Sequence, residues 1–246
     1  MPRRFSFLLC FCCSLALLPP MAQANVVVSG TRIIYPAQER EVSLGLSNKG
    51  GQPALVQVWI DEGNPDSKPD DVDVPFVVMP PMARINQGKG QTLRIAYIPQ
   101  SGVPQDRESV YWLNLLDVPP LASGPVSNHM QLAFRTRLKL FFRPAQLSGS
   151  VMDAAEKLRW SLVKSGAETV LRVRNDSAFH VSFNSVDVKL KSGPSLSAQS
   201  RMLAPKSSAD FTLGQAPSPP GGQGSVVYEW INDYGTAVRR ETSLEP

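Results

Sequence analysis

Apolar and polar positions alternate with a period of two along most of this chain, the mark of strands with one face buried. The longest such run is NHMQLAFRTRLKLFFRP, from Asn128 to Pro144. One face carries Met130, Leu132, Phe134, Thr136, Leu138 and Leu140; the other carries Gln131, Arg135, Arg137 and Lys139, with Ala133 the small exception. At about 3.3 Å per residue, a strand from Asn128 to Phe142 extends roughly 50 Å, against about 17 to 20 Å for a usual one. Such a strand outruns its sheet, and its apolar overhang is an aggregation hazard unless it is shielded or a partner pairs with it. Periodicity leaves open whether that face is core or interface.

The rest of the chain is also read as strands. Asn25 to Tyr35 (NVVVSGTRIIY) is rich in β-branched residues and is closed by Pro36; its Arg32 lies on the solvent face or is placed for a ligand. Glu41 to Asn48 and Ala54 to Asp61 alternate cleanly, with Trp59 a core candidate. The six carboxylates between Asp61 and Asp73 lack the glycine and terminal glutamate of an EF-hand loop, so that stretch reads as a solvated connection. Pro75, Pro80 and Pro81 restrict Val74 to Ile85 to edge or bulge positions. Thr92 to Ile98 alternates, and the near-continuous apolar run Glu108 to Val118 predicts a central strand. Beyond Pro144 the pattern restarts in short pieces: Leu158 to Val163, Thr169 to Arg174, Phe179 to Phe183, Val186 to Leu190, Phe211 to Leu213 and Val226 to Ile231. No helical period is sustained anywhere. The fold class is therefore all-β, with two successive β-sandwiches split near Pro144 to Ser150.

The N-terminus changes the picture of where this fold operates. Arg3 and Arg4 precede an apolar run from Phe5 to Leu18, and Ala22-Gln23-Ala24 forms a small-x-small cleavage site before Asn25. Residues 1–24 are read as a secretory signal peptide, leaving domains at 25–145 and 146–246. No later stretch is long and apolar enough to span a bilayer, so a soluble, exported protein with no direct membrane insertion is expected. Cys10, Cys12 and Cys13 all lie in the removed segment, so disulfides, thiol chemistry and cysteine metal sites are excluded from the mature chain. Loss of Arg3 and Arg4 lowers the formal net charge from +4 to +2, which argues against a nucleic-acid partner.

Catalytic patterns are missing. GKGQT (Gly88 to Thr92) lacks the spacing and following helix of a phosphate loop. His129 and His180 have no metal-binding companion and are read as surface or strand residues, and no G-x-S-x-G elbow occurs. No catalytic residue, metal site or cofactor is expected.

Four motifs then point to a family. TRIIYP (Thr31 to Pro36), QDRESVYWLNLLDVPP (Gln105 to Pro120), RTRLKLFFRP (Arg135 to Pro144) and INDYG (Ile231 to Gly235) resemble, in order and across nearly the whole mature chain, the periplasmic pilus chaperones of the chaperone-usher pathway. The resemblance implies two immunoglobulin-like sandwiches set in a boomerang. It implies a non-enzymatic protein that complements pilus subunits with a donated strand and passes them to an outer-membrane usher. By that likeness Arg32 and Lys139 bind a subunit's C-terminal carboxylate, Met130, Leu132 and Phe134 fill the subunit groove, and Glu108, Arg143 and Asp233 form an ionic network between the domains. The short connection between Pro120 and Asn128 resembles the branch that assembles rod-like pili, and the free protein is compatible with a self-capping oligomer. Some members carry a disulfide in the second domain, which this chain cannot. Two rivals stay open: an exported structural or adhesive sandwich protein such as a fibre subunit, and a secreted hydrolase.

Overall fold

A computed structural model describes residues 26–120, 131–165, 168–191, 195–199, 201–213 and 224–245. The first sandwich is built from β1 (Val26–Val28), β2 (Arg32–Pro36), β3 (Glu41–Asn48), β4 (Ala54–Asp61), β5 (Phe76–Met79), β6 (Met82–Ile85), β7 (Gly90–Tyr97), β8 (Ser109–Val118) and β9 (Phe134–Arg143). One sheet runs β1-β3-β7-β5 and the facing sheet β2-β9-β8-β4-β6.

Chain breakers decide where strands change sheet. The predicted single strand from Asn25 to Tyr35 is instead two, because at Ser29 to Thr31 the chain leaves β3 in one sheet and reaches β9 in the other. Pro80 and Pro81 likewise divide Val74 to Ile85 between β5, which pairs with β7, and β6, which pairs with β4.

The inward residues of both sheets fill one core, centred on Tyr35, Leu93, Ile95, Leu113, Leu140 and Phe142, all buried. Rings of Tyr35, Phe76, Tyr97, Tyr111 and Phe142 interlock at centroid separations of 4.3–6.4 Å. The buried Tyr35 hydroxyl donates to the Arg40 carbonyl at 3.0 Å and accepts the Tyr97 amide at 2.9 Å, so its polar end carries no desolvation penalty.

The second sandwich comprises β10 (Arg159–Ser165), β11 (Glu168–Asn175), β12 (Phe183–Leu190), β13 (Leu196–Ser197), β14 (Ser207–Thr212), β15 (Gly224–Ile231) and β16 (Ala237–Ser243). Its sheets run β10-β11-β14 and β13-β12-β15-β16. Trp160, Phe211, Tyr228 and Trp230 are fully buried there, and Trp160 packs against Phe183, Phe211 and Tyr228. Large aromatic side chains thus fill the core of this cysteine-free sandwich.

Three further expectations need correction. A short helix, α1 (Val151–Glu156), covers one end of this core with Ala154 and Ala155; Ser150 caps it by accepting the Asp153 amide at 3.1 Å. Six residues are too few to register as a 3.6-residue period. Phe179 to Phe183 is not a strand: Val181 makes an isolated bridge to Leu203, and only Phe183 joins β12. The stretch beginning at Asp61 is not wholly solvated, because Asp61 itself is 2% exposed.

The long strand also differs from its prediction. β9 starts at Phe134, six residues later than expected, since its partner β8 has its last pair at Asp117 and is then stopped by Pro119 and Pro120. Without a partner, Gln131 to Ala133 form no ladder, although the Gln131 side chain donates to the Pro119 carbonyl at 2.7 Å. Met130, His129 and the Pro120 to Asn128 connection beyond Pro120 lie outside the described residues.

Candidate functional site

The site begins with the pairing of β2 and β9. They run parallel, with Arg32 directly opposite Lys139, so two cations stand side by side where the sandwiches meet. Arg32 donates from Nη1 to the Ile231 carbonyl of the second sandwich at 2.9 Å and stacks on Phe141 at 5.8 Å. Its Nε–H is buried with no partner. Lys139 reaches Ser182 Oγ at 3.4 Å and lies over the Trp112 ring at 5.6 Å. Among the described residues neither cation has a carboxylate within ion-pair distance.

Burial, together with the nearby guanidinium of Arg32, holds the Lys139 ammonium below its ordinary range. Burial lowers Arg32 as well, against partial support from Asp233 and Glu108. Two partly desolvated cations without a carboxylate partner form a site whose electrostatic need is an anion. A carboxylate fits it, since each oxygen can accept from one cation.

An ionic network frames the pair. Arg143, the last residue of β9, donates from Nε to Glu108 Oε1 at 2.7 Å, and from Nη1 and Nη2 to the two Asp233 oxygens at 2.6 and 2.7 Å. Burial works against its charge, but the bonds to Asp233 and Glu108 outweigh that and hold Arg143 above its usual range. Glu108 is 2% exposed, and its second oxygen accepts both the His180 amide at 2.8 Å and His180 Nδ1 at 2.9 Å. His180 is therefore a buried member of this network rather than a surface or strand residue. Its partner is 72 residues away, which no local pattern could have revealed.

The INDYG segment delivers the second sandwich's share. Asn232 closes the turn by accepting the amides of Tyr234 and Thr236 on its side-chain oxygen. The turn then touches the first sandwich three times: Ile231 through Arg32, Asp233 through Arg143, and Gly235 against Thr31. Gly235 has φ +82°, and a Cβ there would sit 2.4 Å from Thr31 Oγ1, so both backbone and space demand glycine.

Along β9 the side chains divide into a rooted and a free half. Leu138 and Leu140 are buried, whereas Leu132 and Phe134 are 57% and 59% exposed. On the opposite face, Arg135 stacks on Trp59 at 4.7 Å and Arg137 on Trp112 at 4.8 Å. Both converge on a cluster that sequence reasoning missed. Asp61 accepts from Arg137, Asn114, Ser67 and the Gly63 amide, while Arg135 donates to Asn114 Oδ1 and to the Pro65 carbonyl. Although burial alone would raise it, these hydrogen bonds and the Arg137 charge hold the Asp61 carboxyl below its usual range. The cluster pins β9 to the loop after β4 just before the strand leaves its sheet.

Residues 25–148 match the family described as "Pili and flagellar-assembly chaperone, PapD N-terminal domain", and residues 153–242 match "Pili assembly chaperone PapD, C-terminal domain". The chain belongs to the pilus-assembly chaperones. This chaperone is 43% identical over 235 residues to the chaperone protein FimB/FhaD of Bordetella pertussis, covering 94% of this chain and 92% of that protein. It is 39% identical over 228 residues to the probable fimbrial chaperone YadV of Escherichia coli, covering 90% of each. The solved YadV chaperone superposes with a TM-score of 0.77 over 90% of this chain and 100% of that one. A further neighbour is the SafB chaperone of Salmonella enterica in complex with the SafA pilin, at 26% identity and a TM-score of 0.73, covering 91% of this chaperone and 98% of that chain. Among the described residues no helix is long and apolar enough to cross a membrane, and no group of histidine, cysteine or carboxylate side chains is arranged to hold a metal ion.

Proposed function

We propose that this protein captures pilus subunits in the periplasm by donating β9 to them, with Arg32 and Lys139 holding the subunit's C-terminal carboxylate, and hands them to an outer-membrane usher. The observation that carries the reading is the pair of desolvated, carboxylate-free cations at the root of a strand whose outer residues are exposed. The anchor fixes register; Phe134, Leu132 and Met130 then follow at every second position, the spacing of side chains that enter one face of a partner sheet. Each apolar side chain so buried contributes about 1.5 to 3 kcal/mol of gross transfer energy, part of which offsets the cost of association. The Glu108–Arg143–Asp233 network, with His180, holds the second sandwich against this site and so sets its shape; such a network gives orientation more than stability.

Residues 1–24 are the export signal in this reading, 25–145 the strand-donating domain and 146–246 the domain that completes the anchor. The chain works without a cofactor and without catalysis. The presence of a second complete sandwich, with its own core, disfavours the fibre-subunit alternative.

The test is co-expression of each variant with its cognate subunit, followed by periplasmic fractionation. Arg32→Ala and Lys139→Ala yield folded protein in the periplasm but lose recoverable subunit by at least tenfold. Normal subunit recovery with both variants overturns the anchor, and residence outside the periplasm overturns the export reading.

A further inference from the structure

His180 links the two halves of the junction. Its amide and its Nδ1 both meet Glu108 Oε2, at 2.8 and 2.9 Å. Its ring packs on Phe141 with 5.7 Å between centroids, and the guanidinium of Arg32 lies 5.8 Å from the centre of that same Phe141 ring. A continuous line of contacts therefore runs from the anchor cation Arg32 through Phe141 and His180 to Glu108, Arg143 and Asp233. Phe141, His180 and Glu108 are all buried along it. The hydrogen bonds also fix the tautomer. Both Glu108 oxygens accept, one from Arg143 and the other from the His180 amide, so Nδ1 carries the ring hydrogen. Nε2, which bonds to no described residue, is left as the ring atom able to take up a further proton. Histidine is the side chain whose charge ordinarily changes between about pH 5 and 8.

Charge balance says what that proton would answer. Among the described residues, the cations Arg32 and Lys139 on β2 and β9 and Arg143 at the end of β9 meet the carboxylates Glu108 before β8 and Asp233 in the turn after β15. Asp106, two residues before Glu108, is already held by Arg107 and Lys206. The excess is one positive charge, which a carboxylate bound at Arg32 and Lys139 cancels. We propose that His180 is a positioning residue for the anchor that takes up a proton as the carboxylate arrives, so that capture strengthens on acidification. The carboxylate brings one negative charge, Nε2 accepts one proton from solvent, and no covalent bond to the subunit forms. In the free protein a proton on Nε2 joins a junction already rich in cations; with the anion bound, it joins a junction in balance. Burial keeps these charges coupled across the Phe141 ring, because buried groups are screened by salt much less than exposed ones. Linkage makes the effect reciprocal: the factor by which the carboxylate favours the proton is the factor by which the proton favours the carboxylate.

The inference rests on the carboxylate-anchor reading above, and the test separates the two. A synthetic peptide of the subunit's C-terminal residues, as free acid and as amide, is titrated calorimetrically in the histidine range in buffers of different ionisation heat, which reveals proton uptake. The parent protein is expected to prefer the free acid and to take up about half a proton on binding it, equal to about a threefold gain in affinity for each pH unit of acidification. His180→Asn keeps a donor at the Nδ1 position without a titrating ring, and His180→Phe keeps a ring against Phe141 without a donor. Uptake should vanish in both, and their affinities should lose the dependence on pH across the histidine range. A residue that merely filled space would change affinity without changing that dependence. A preference for the free acid with no uptake in the parent, or with uptake that persists in either folded variant, overturns the role of His180 and leaves the anchor standing. Equal binding of acid and amide, or none, overturns the anchor and this inference with it. If one variant does not fold, the other decides.

Discussion

Arg143 and Asp233, 90 residues apart in sequence, close on each other through two parallel hydrogen bonds of 2.6 and 2.7 Å that tie the end of β9 to the turn after β15. The same guanidinium serves Glu108, which is almost wholly buried, so the two partners are not equivalent. Arg143→Ala strands Glu108 without its charge partner and is expected to cost about 3 to 5 kcal/mol of folding stability. Asp233→Asn leaves Arg143 paired with Glu108 and is expected to cost about 1 kcal/mol. Chemical denaturation measures both, and equal losses would mean that Glu108 is not the residue Arg143 protects.

If Lys139 anchors a subunit carboxylate as proposed, capture carries a pH signature. Burial and the adjacent Arg32 lower its pKa below the ordinary value of about 10.4. With its pKa lower in the folded state than in the unfolded, the group binds fewer protons when folded, so its contribution to stability rises with pH between the two values. Binding a carboxylate has the opposite requirement, because only the charged lysine attracts it. Affinity for a peptide bearing the subunit's free C-terminus should therefore decline with rising alkalinity earlier than an ordinary lysine would dictate, and Lys139→Arg should flatten that decline. Calorimetric titration across alkaline pH decides the matter.

The two halves of β9 should respond oppositely to truncation. Leu138→Ala and Leu140→Ala remove buried core and are expected to cost about 2 to 5 kcal/mol. Leu132→Ala and Phe134→Ala lie on exposed positions and should change stability by no more than about 0.5 kcal/mol while weakening subunit capture. Parallel measurement of denaturation midpoints and subunit recovery separates the two effects. A stability loss at Phe134 comparable to that at Leu138 would place it in the core.

Asp61 should govern acid tolerance of the first sandwich. Its carboxyl is depressed below the model-peptide value of about 3.9, so its stabilising contribution is complete above that value and is lost as pH falls through the depressed one. Asp61→Asn is expected to cost about 2 to 3 kcal/mol at neutral pH. The gap between variant and parent should narrow below the ordinary carboxylate range, as followed by urea denaturation at successive pH values.

Strand positions were legible where alternation was undisturbed: β3 and β4 begin and end where the pattern of Glu41 to Asn48 and Ala54 to Asp61 places them. β16 was not, because its seven residues include no buried one and carry no period. Nor could alternation foresee that Asn25 to Tyr35 divides between sheets, since both parts are equally β-branched and only pairing distinguishes them. The site followed the same division. Arg32, Lys139, Glu108, Arg143 and Asp233 were named through resemblance, and the fold brings them to one junction. The buried roles of Asp61, Asn114 and His180 were missed because their partners come from other strands or from the other sandwich, and an isolated Asp, Asn or His in a strand-rich sequence carries no mark of burial.

The contact between Gly235 and Thr31 has a consequence for the gap between the sandwiches. The place a methyl group would occupy at residue 235 is already taken by the Thr31 hydroxyl. A side chain there obliges either the Thr31 hydroxyl to turn away or the two bodies to part, and parting would stretch the Arg32 bond to Ile231 and the Arg143 grip on Asp233 together. The spacing between the two sandwiches at this turn thus depends on a single absent carbon atom.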